Sequence, residues 1–390
     1  MPAPDRFTPT ARSIGWKPTI SNSRAPSAGP RRASKLRSRS MPSDLRLKTA
    51  LITRRAALLG LAAGTAALSA SRSGRAEDEW GKLVAAARKE GRVVLYSAFV
   101  GLATHQALKK DFEASYGITV DILEARASEV RERIRIEQAA GRFAADVSEN
   151  GRTTTTLQME QDRVFDPYGP LPSLGHFKPE FRSDDIRLPV FAIVYGILAN
   201  TQLVKAGEEP KSWLDLADPR WKGKILSDDF RALGGGGVLF YVLQEKFGRD
   251  FMEKLAKQDL KFSREIPANE RRIARGEYPL YIPQNLTSIR DLKGLPVKFL
   301  MPNEGLPYIG YDLALLKNAP HPNAARLLME YYLGQKMQKS FADLGLLPVT
   351  SKELPGVDPA VAEVEKSKLL GTTDAAKMDK MLVLAREIYP

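Results

Sequence analysis

The sequence predicts an α/β fold divided into two lobes, and three observations predict it. Short apolar, β-branched runs alternate with helical periods from residue 92 onward, which is the pattern of a layered α/β sheet. Two unusually continuous apolar segments, Leu188 to Asn200 and Tyr308 to Leu316, bracket a second α/β stretch and read as strands that cross between lobes. The length of 390 residues suits two domains of roughly 100–200 residues each plus a tail.

The elements follow in order. Asp78 to Glu90 reads as a helix, with Trp80, Leu83, Val84 and Ala87 at helical spacing, and Gly91 stops it. Arg92 to Ser97 is an almost unbroken apolar run, as expected of a strand covered on both faces of a parallel sheet. His105 to Tyr116 is amphipathic and ends at Gly117; Ile118 to Leu123 is the next strand. Ser128 is read as the cap of a helix to Ala140, and Ala144 to Val147 as a third strand. Gly196 lies inside the first crossover, where a bend costs least. The second segment contains the glycines Gly234 to Gly237, a helix from Val238 to Phe247, another around Phe251 to Lys257, a basic helix from Arg264 to Arg275 and a strand from Tyr278 to Pro283. Pro322 to Gly334 is a helix that Gln335 to Leu344 continues, and amphipathic helix follows Pro355.

The formal charge of +13 is not spread over the chain. Residues 1–76 hold 15 basic and 2 acidic side chains, and residues 77–390 hold 44 of each. The body is neutral, so nucleic acid is not an expected partner. The chain has no cysteine, which excludes disulfides, thiolate metal sites and a cysteine nucleophile. No cofactor is expected.

Residues 1–40 are rich in Arg, Ser and Pro without an apolar period, and Met41 is an alternative start. From Met41 a basic stretch with Arg54 and Arg55 precedes the apolar run Ala56 to Ala70, the order of an export signal cleaved near Ala76. Thr53 to Leu59 resembles a twin-arginine signal, with Ala57 where Phe is usual; a general secretion signal is the alternative. The expected location is the periplasm. The expected division is 1–76 extension and signal, 77–192 first lobe, 193–305 second lobe, 306–350 return crossover and completion of the first lobe, and 351–390 C-terminal helices.

Three segments carry a family resemblance: Trp80 with Lys89-Glu90-Gly91 and Val93 to Tyr96; Trp213 to Lys224; and Ala319 to Ala325 with Gly334-Gln335. In this order over about residues 80–350, the chain resembles bacterial periplasmic solute-binding proteins, in the class with the ferric-ion, thiamine and phosphonate or phosphosugar binders. The resemblance implies a type II two-lobed fold with two crossover strands as hinge, closing over a solute in the cleft. It also implies delivery to an ABC permease by a monomer. The ferric binders hold their ion with paired tyrosines in a turn of the second lobe, and that slot falls here at Gln284-Asn285. Tyr331-Tyr332 lie instead in the helix after Pro322. A ferric ion favours anionic oxygen donors, so a small organic anion is the expected solute and iron the alternative.

Candidate ligand-binding residues come from strand ends, where α/β sheets gather ligands. They are Ser97 and Ala98, Asn150 and Gly151, Tyr195 and Tyr308 on the crossovers, and Gln284 and Asn285 as amide donors and acceptors. Gly235 and Gly236 open a helix and can present N–H groups to an anion, with Asp229 and Arg231 just before them. A flexible turn and a solvated arginine are the alternatives. No catalytic or metal-binding set is expected. Asp184-Asp185 and Asp228-Asp229 are adjacent pairs that point apart on extended chain, and His105, His176 and His321 fit no metal or catalytic spacing. A periplasmic sensor or enzyme on the same fold is the remaining alternative.

Overall fold

A computed structural model describes residues 77–390; the expectations for the extension and export signal lie outside the described residues. Helix α1 (77–90) leads into β1 (Arg92–Ser97), α2 (Thr104–Tyr116), β2 (Thr119–Glu124), α3 (Ala127–Ala139), β3 (Val147–Gly151), α4 (Thr154–Gln161) and β4 (Phe165–Asp166). The crossover strand β5 (Leu188–Asn200) follows, then β6 (Ile225–Ser227), α5 (Gly235–Ala256), β7 (Lys261–Phe262), α6 (Ile266–Ala274), β8 (Leu280–Asn285) and β9 (Val297–Leu300). The return strand β10 (Leu306–Leu316) leads to α7 (Pro322–Leu333), α8 (Gln335–Asp343), β11 (Leu347–Pro348), α9 (Pro359–Glu365), β12 (Leu369–Gly371) and α10 (Met378–Ile388).

The strands run in the order β2-β1-β3-β10-β5-β8-β6-β7. β1, β2 and β3 are parallel, as are β6, β7 and β8, whereas β5 and β10 run antiparallel to each other, β10 to β3 and β5 to β8. The first half of β5 pairs with β10 and β11, and the second half with β8 and β9. One strand therefore belongs to two sheets. Each sheet has its own core: Phe112, Phe191, Leu328, Tyr332 and Phe341 in the first, Trp213, Phe230, Phe240, Met252 and Ile282 in the second. This is the two-lobed architecture with two crossover strands. The C-terminal segment serves both lobes, because Val361 and Val364 of α9 sit in the first core, and Ala385 within α10 and Tyr389 after it sit in the second.

The register places the strand ends relative to the crossover. On β10, Gly151 at the end of β3 pairs with Tyr311, closer to the crossover than Val147, which pairs with Leu315. On β5, Asn285 at the end of β8 pairs with Tyr195, whereas Leu280 at its start pairs with Ala199 deep in the second lobe. Tyr308 and Val194 pair between these points. The carboxyl ends of the parallel strands in both lobes thus converge on the crossover.

The local expectations differ in instructive places. Gly91 and Gly117 adopt positive φ, and Gly117 caps α2 in the left-handed region. Gly196 is demanded by close approach rather than by a bend: an added methyl would lie 2.5 Å from the Phe299 ring and 2.6 Å from the Leu300 carbonyl. Ser128 does not cap α3; Arg126 occupies that position, and Glu129 accepts its backbone N–H. The predicted helices 238–247 and 251–257 form one element, broken by the non-helical Gly248, and the helix predicted from Pro322 to Leu344 is broken at Gly334.

The segments behind the family resemblance act as locks. The Glu90 carboxylate accepts from Asn323 and from the backbone N–H of Ala324, which ties α1 to the start of α7. Asp146 accepts from the backbone N–H groups of Val94 and His321, and His321 Nδ1 lies 3.0 Å from it. Trp213 is fully buried and donates from its indole N–H to Gly305 O at 2.9 Å.

Candidate functional site

The first-lobe wall is built from the ends of β1 and β3. Ser97 is fully buried, and its hydroxyl donates to Glu149 Oε2 at 2.5 Å. The Ala98 N–H donates to Glu149 O at 2.8 Å. Asn150 is buried, donates to the Ser148 hydroxyl and leaves its Oδ1 unpartnered. Tyr311 lies across Gly151, where a methyl would meet its ring at 3.3 Å. The Tyr311 ring stacks on Phe191 at 4.8 Å and meets Phe99 at 5.4 Å. Burial, with the Glu149 charge, pushes the Tyr311 hydroxyl up to about 12. Beside this wall, Arg152 follows β3; its side chain passes over Gly310 and donates to Asp312 Oδ2 at 2.5 Å. Thr153, the residue before α4, gives that helix no side-chain cap.

The second-lobe wall converges on Gly235. A methyl there would meet Tyr195 at 3.2 Å, Pro283 at 3.3 Å and Asp228 Oδ2 at 3.4 Å. The structure therefore brings Tyr195 and Gly235 together. The N–H of Gly236 is not an open donor, because it donates to Asp228 Oδ2 at 2.8 Å, while Asp228 Oδ1 accepts from Asp229 N at 2.9 Å. The protein's own carboxylate caps α5 here, in place of the open cradle read from the glycines. Burial raises the Asp228 pKa against the lowering effect of these N–H groups and of Arg264. The glycines are needed for packing: a methyl on Gly236 would lie 2.6 Å from the Asp229 carbonyl, and one on Gly237 2.5 Å from that of Ala232.

Arg231 is committed elsewhere. It donates to Asp229 at 2.8 Å and to the carbonyls of Tyr389 and Pro390, and its guanidinium lies over the Phe262 ring. Gln284 donates to Glu270 and to Asn285 O, which leaves its Oε1 buried and unpartnered. Asn285 Oδ1 accepts from Ser288 and Thr287 as a turn cap. Tyr308 packs edge-on to Phe181 at 5.7 Å, near the Arg152 charge. Tyr195 links the walls: burial first, then Tyr311 on one side and Asp228 on the other, raises its hydroxyl pKa.

Sequence reading missed three groups. Arg264 follows β7 by two residues, is exposed, and acts electrostatically on Asp228 and Asp229. Arg152 follows β3 directly; the strand read at Ala144 to Val147 runs instead from Val147 to Gly151, so the sequence reading put Arg152 well beyond its end. His105 lies buried between Glu124 and Glu149, which are 19 and 44 residues away, so no local spacing reveals the contact. Tyr332 is fully buried, and Tyr331 packs on Phe112 and Tyr116, so neither tyrosine is at the strand ends. Among the described residues no group of three or more His, Asp or Glu side chains is placed to hold a metal ion. A surface groove of about 830 Å³ runs along α3 at the outer edge of the first lobe and contains none of the predicted residues.

The comparisons agree with this geometry. A family model for bacterial extracellular solute-binding proteins matches residues 155–377, more than half of the chain. An uncharacterized protein of Haemophilus influenzae is 23% identical over 312 residues, 73% of this chain and 85% of that one. An aconitate isomerase of Pseudomonas sp. is 31% identical over 80 residues, 20% of this chain and 30% of that enzyme. The Trichodesmium protein IdiA (FutA), solved with iron and citrate ligands, superposes with a TM-score of 0.62 at 22% identity, covering 76% of this chain and 98% of that one.

Proposed function

The chain belongs to the bacterial extracellular solute-binding proteins, and from that premise we propose a periplasmic receptor that captures a small organic anion between its lobes and presents it unchanged to an ABC permease. The observation that carries the reading is the convergence of both sets of strand ends on the β5–β10 crossover. Rotation about that pair opens and closes the space between the walls without disturbing either core. The lobes divide at about residues 77–192 with 306–350, and 193–305. The protein works as a monomer, does not bind nucleic acid, and leaves the cytoplasm by the twin-arginine route with cleavage near Ala76.

For the solute, the anion-binding groups shift from the glycine run to others. Arg152 and the uncapped start of α4 supply N–H donors on the first lobe, and Arg264 supplies a guanidinium on the second. Asp228 and Tyr195 suit a hydroxyl or amino group on the same molecule, and Ser97, Ala98, Asn150 and Gly151 form the facing wall. Direct ferric binding is less well supported, because the paired-tyrosine slot holds neutral amides already engaged in the fold. Iron as a carboxylate chelate remains compatible with the site. The short aconitate isomerase match favours one further reading, proton transfer on a tricarboxylate, which turnover of aconitate would establish.

A thermal-shift panel of citrate, aconitate, phosphonates, sugar phosphates, thiamine and ferric citrate tests the proposal. A solute at a hundredfold its Kd stabilises by about 2.7 kcal/mol, which raises Tm by about 5 °C in a protein of this size. If no small solute shifts Tm, the receptor reading fails.

A further inference from the structure

The loop after β1, residues 98–103, is held by hydrogen bonds that meet at one imidazole. Phe99 N–H donates to Ser97 Oγ at 3.0 Å, Ser97 Oγ to Glu149 Oε2, and Gly101 N–H to Glu124 Oε2 at 2.7 Å. The two carboxylates are joined through His105, whose Nδ1 lies 2.7 Å from Glu124 Oε1 and whose Nε2 lies 2.9 Å from Glu149 Oε2. We infer that His105, as an imidazolium, is the positioning residue of the first-lobe wall, fixing loop 98–103 through Glu124 and Glu149. That this loop lines a solute crevice rests on the proposed function; that His105 orders it does not.

An ionised carboxylate only accepts, and a neutral imidazole has one donor, so both contacts together need the doubly protonated ring. His105 is 1% exposed. The groups facing it are Glu124 of β2, Glu149 of β3, Tyr332 of α7, whose hydroxyl feels both carboxylates, and Tyr311 of β10, which feels Glu149. Among the described residues neither carboxylate pairs with Lys or Arg. Deprotonation of the ring would leave the buried Glu149 carboxylate and the exposed Glu124 carboxylate around a neutral group, with one hydrogen bond lost. Burial opposes the charge, but Glu149 and then Glu124 outweigh it and raise the His105 pKa above its ordinary 6.5. A raised pKa means that the contribution is fully present below about pH 6.5 and disappears as pH rises through the folded-state value.

The test is amide hydrogen exchange across residues 98–104 from pH 6 to 10, corrected for intrinsic rates, with an NMR titration of the histidine rings. With three histidines in the sequence, that titration is readily resolved. Protection at Phe99 and Gly101 is expected to hold at low pH and fall at least tenfold above the His105 midpoint. His105→Gln should abolish that protection at every pH while far-UV circular dichroism stays native. Glu124→Gln keeps an acceptor for Gly101 and should lower the His105 midpoint by about one unit. A His105 midpoint at or below 6.5, or full protection in folded His105→Gln, overturns the inference. If His105→Gln does not fold, the wild-type and Glu124→Gln titrations decide it. Failure of the solute panel would remove the receptor reading and leave these exchange results standing.

Discussion

The two lobes fix the strand ends beside the crossover by different physics. In the first lobe, charged side chains do the holding: Ser97, Glu149, His105 and Glu124 form one chain of hydrogen bonds below the loop after β1. In the second lobe, backbone does it: Asp228 takes N–H groups at the start of α5, and Gly236 and Gly237 let the carbonyls of Asp229 and Ala232 approach to distances no side chain permits. The first wall should therefore respond to pH and to the removal of charge. The second should be insensitive to neutral pH and intolerant of added atoms.

The largest expected effect is on the second lobe as a whole. Trp213→Ala removes a fully buried ring and its bond to Gly305, at a cost of about 4 kcal/mol. Denaturant unfolding would show it, and a loss under 1 kcal/mol would mean that the second core is not organised around this ring. Next is Gly236→Ala, whose methyl must displace the Asp229 carbonyl, for about 2–3 kcal/mol. An unchanged Tm would break the contrast by showing that the second wall yields. His105→Gln should cost about 1–2 kcal/mol at pH 6 and progressively less as pH rises through the raised pKa. A penalty independent of pH would indicate packing rather than charge. The smallest effect belongs to Arg231→Ala. This partly exposed pair with Asp229 contributes about 1 kcal/mol or less, and calorimetric titration with any solute that shifts Tm should give an unchanged affinity. A selective loss of anion affinity would return Arg231 to the crevice.

The crossover strands were readable because a thirteen-residue apolar run has few other homes, and β5 spans Leu188 to Asn200 as the pattern suggests. The stops at Gly91 and Gly117 were readable because positive φ favours glycine. Strands such as β4, β7 and β11, two residues each, are too short to carry a period and exist only through their partners. Strand ends pointed to Ser97 and Asn150, and the crossover to Tyr195, but which atoms remain available depends on tertiary partners. Asp228 occupies the glycine N-terminus, and the C-terminal carbonyls share Arg231, contacts made across 8 and about 158 residues. Composition cannot encode such pairings. The same limit hid His105: its partners lie on two different strands, and a lone histidine in an amphipathic helix gives no sign of them.

Native mass spectrometry of the protein isolated from periplasm tests the central claim most directly. One small anionic solute per chain, released on denaturation and still chemically unchanged after prolonged incubation, is the predicted result. A protein that retains no solute and takes none from periplasmic extract, or one that converts the compound it holds, would contradict it.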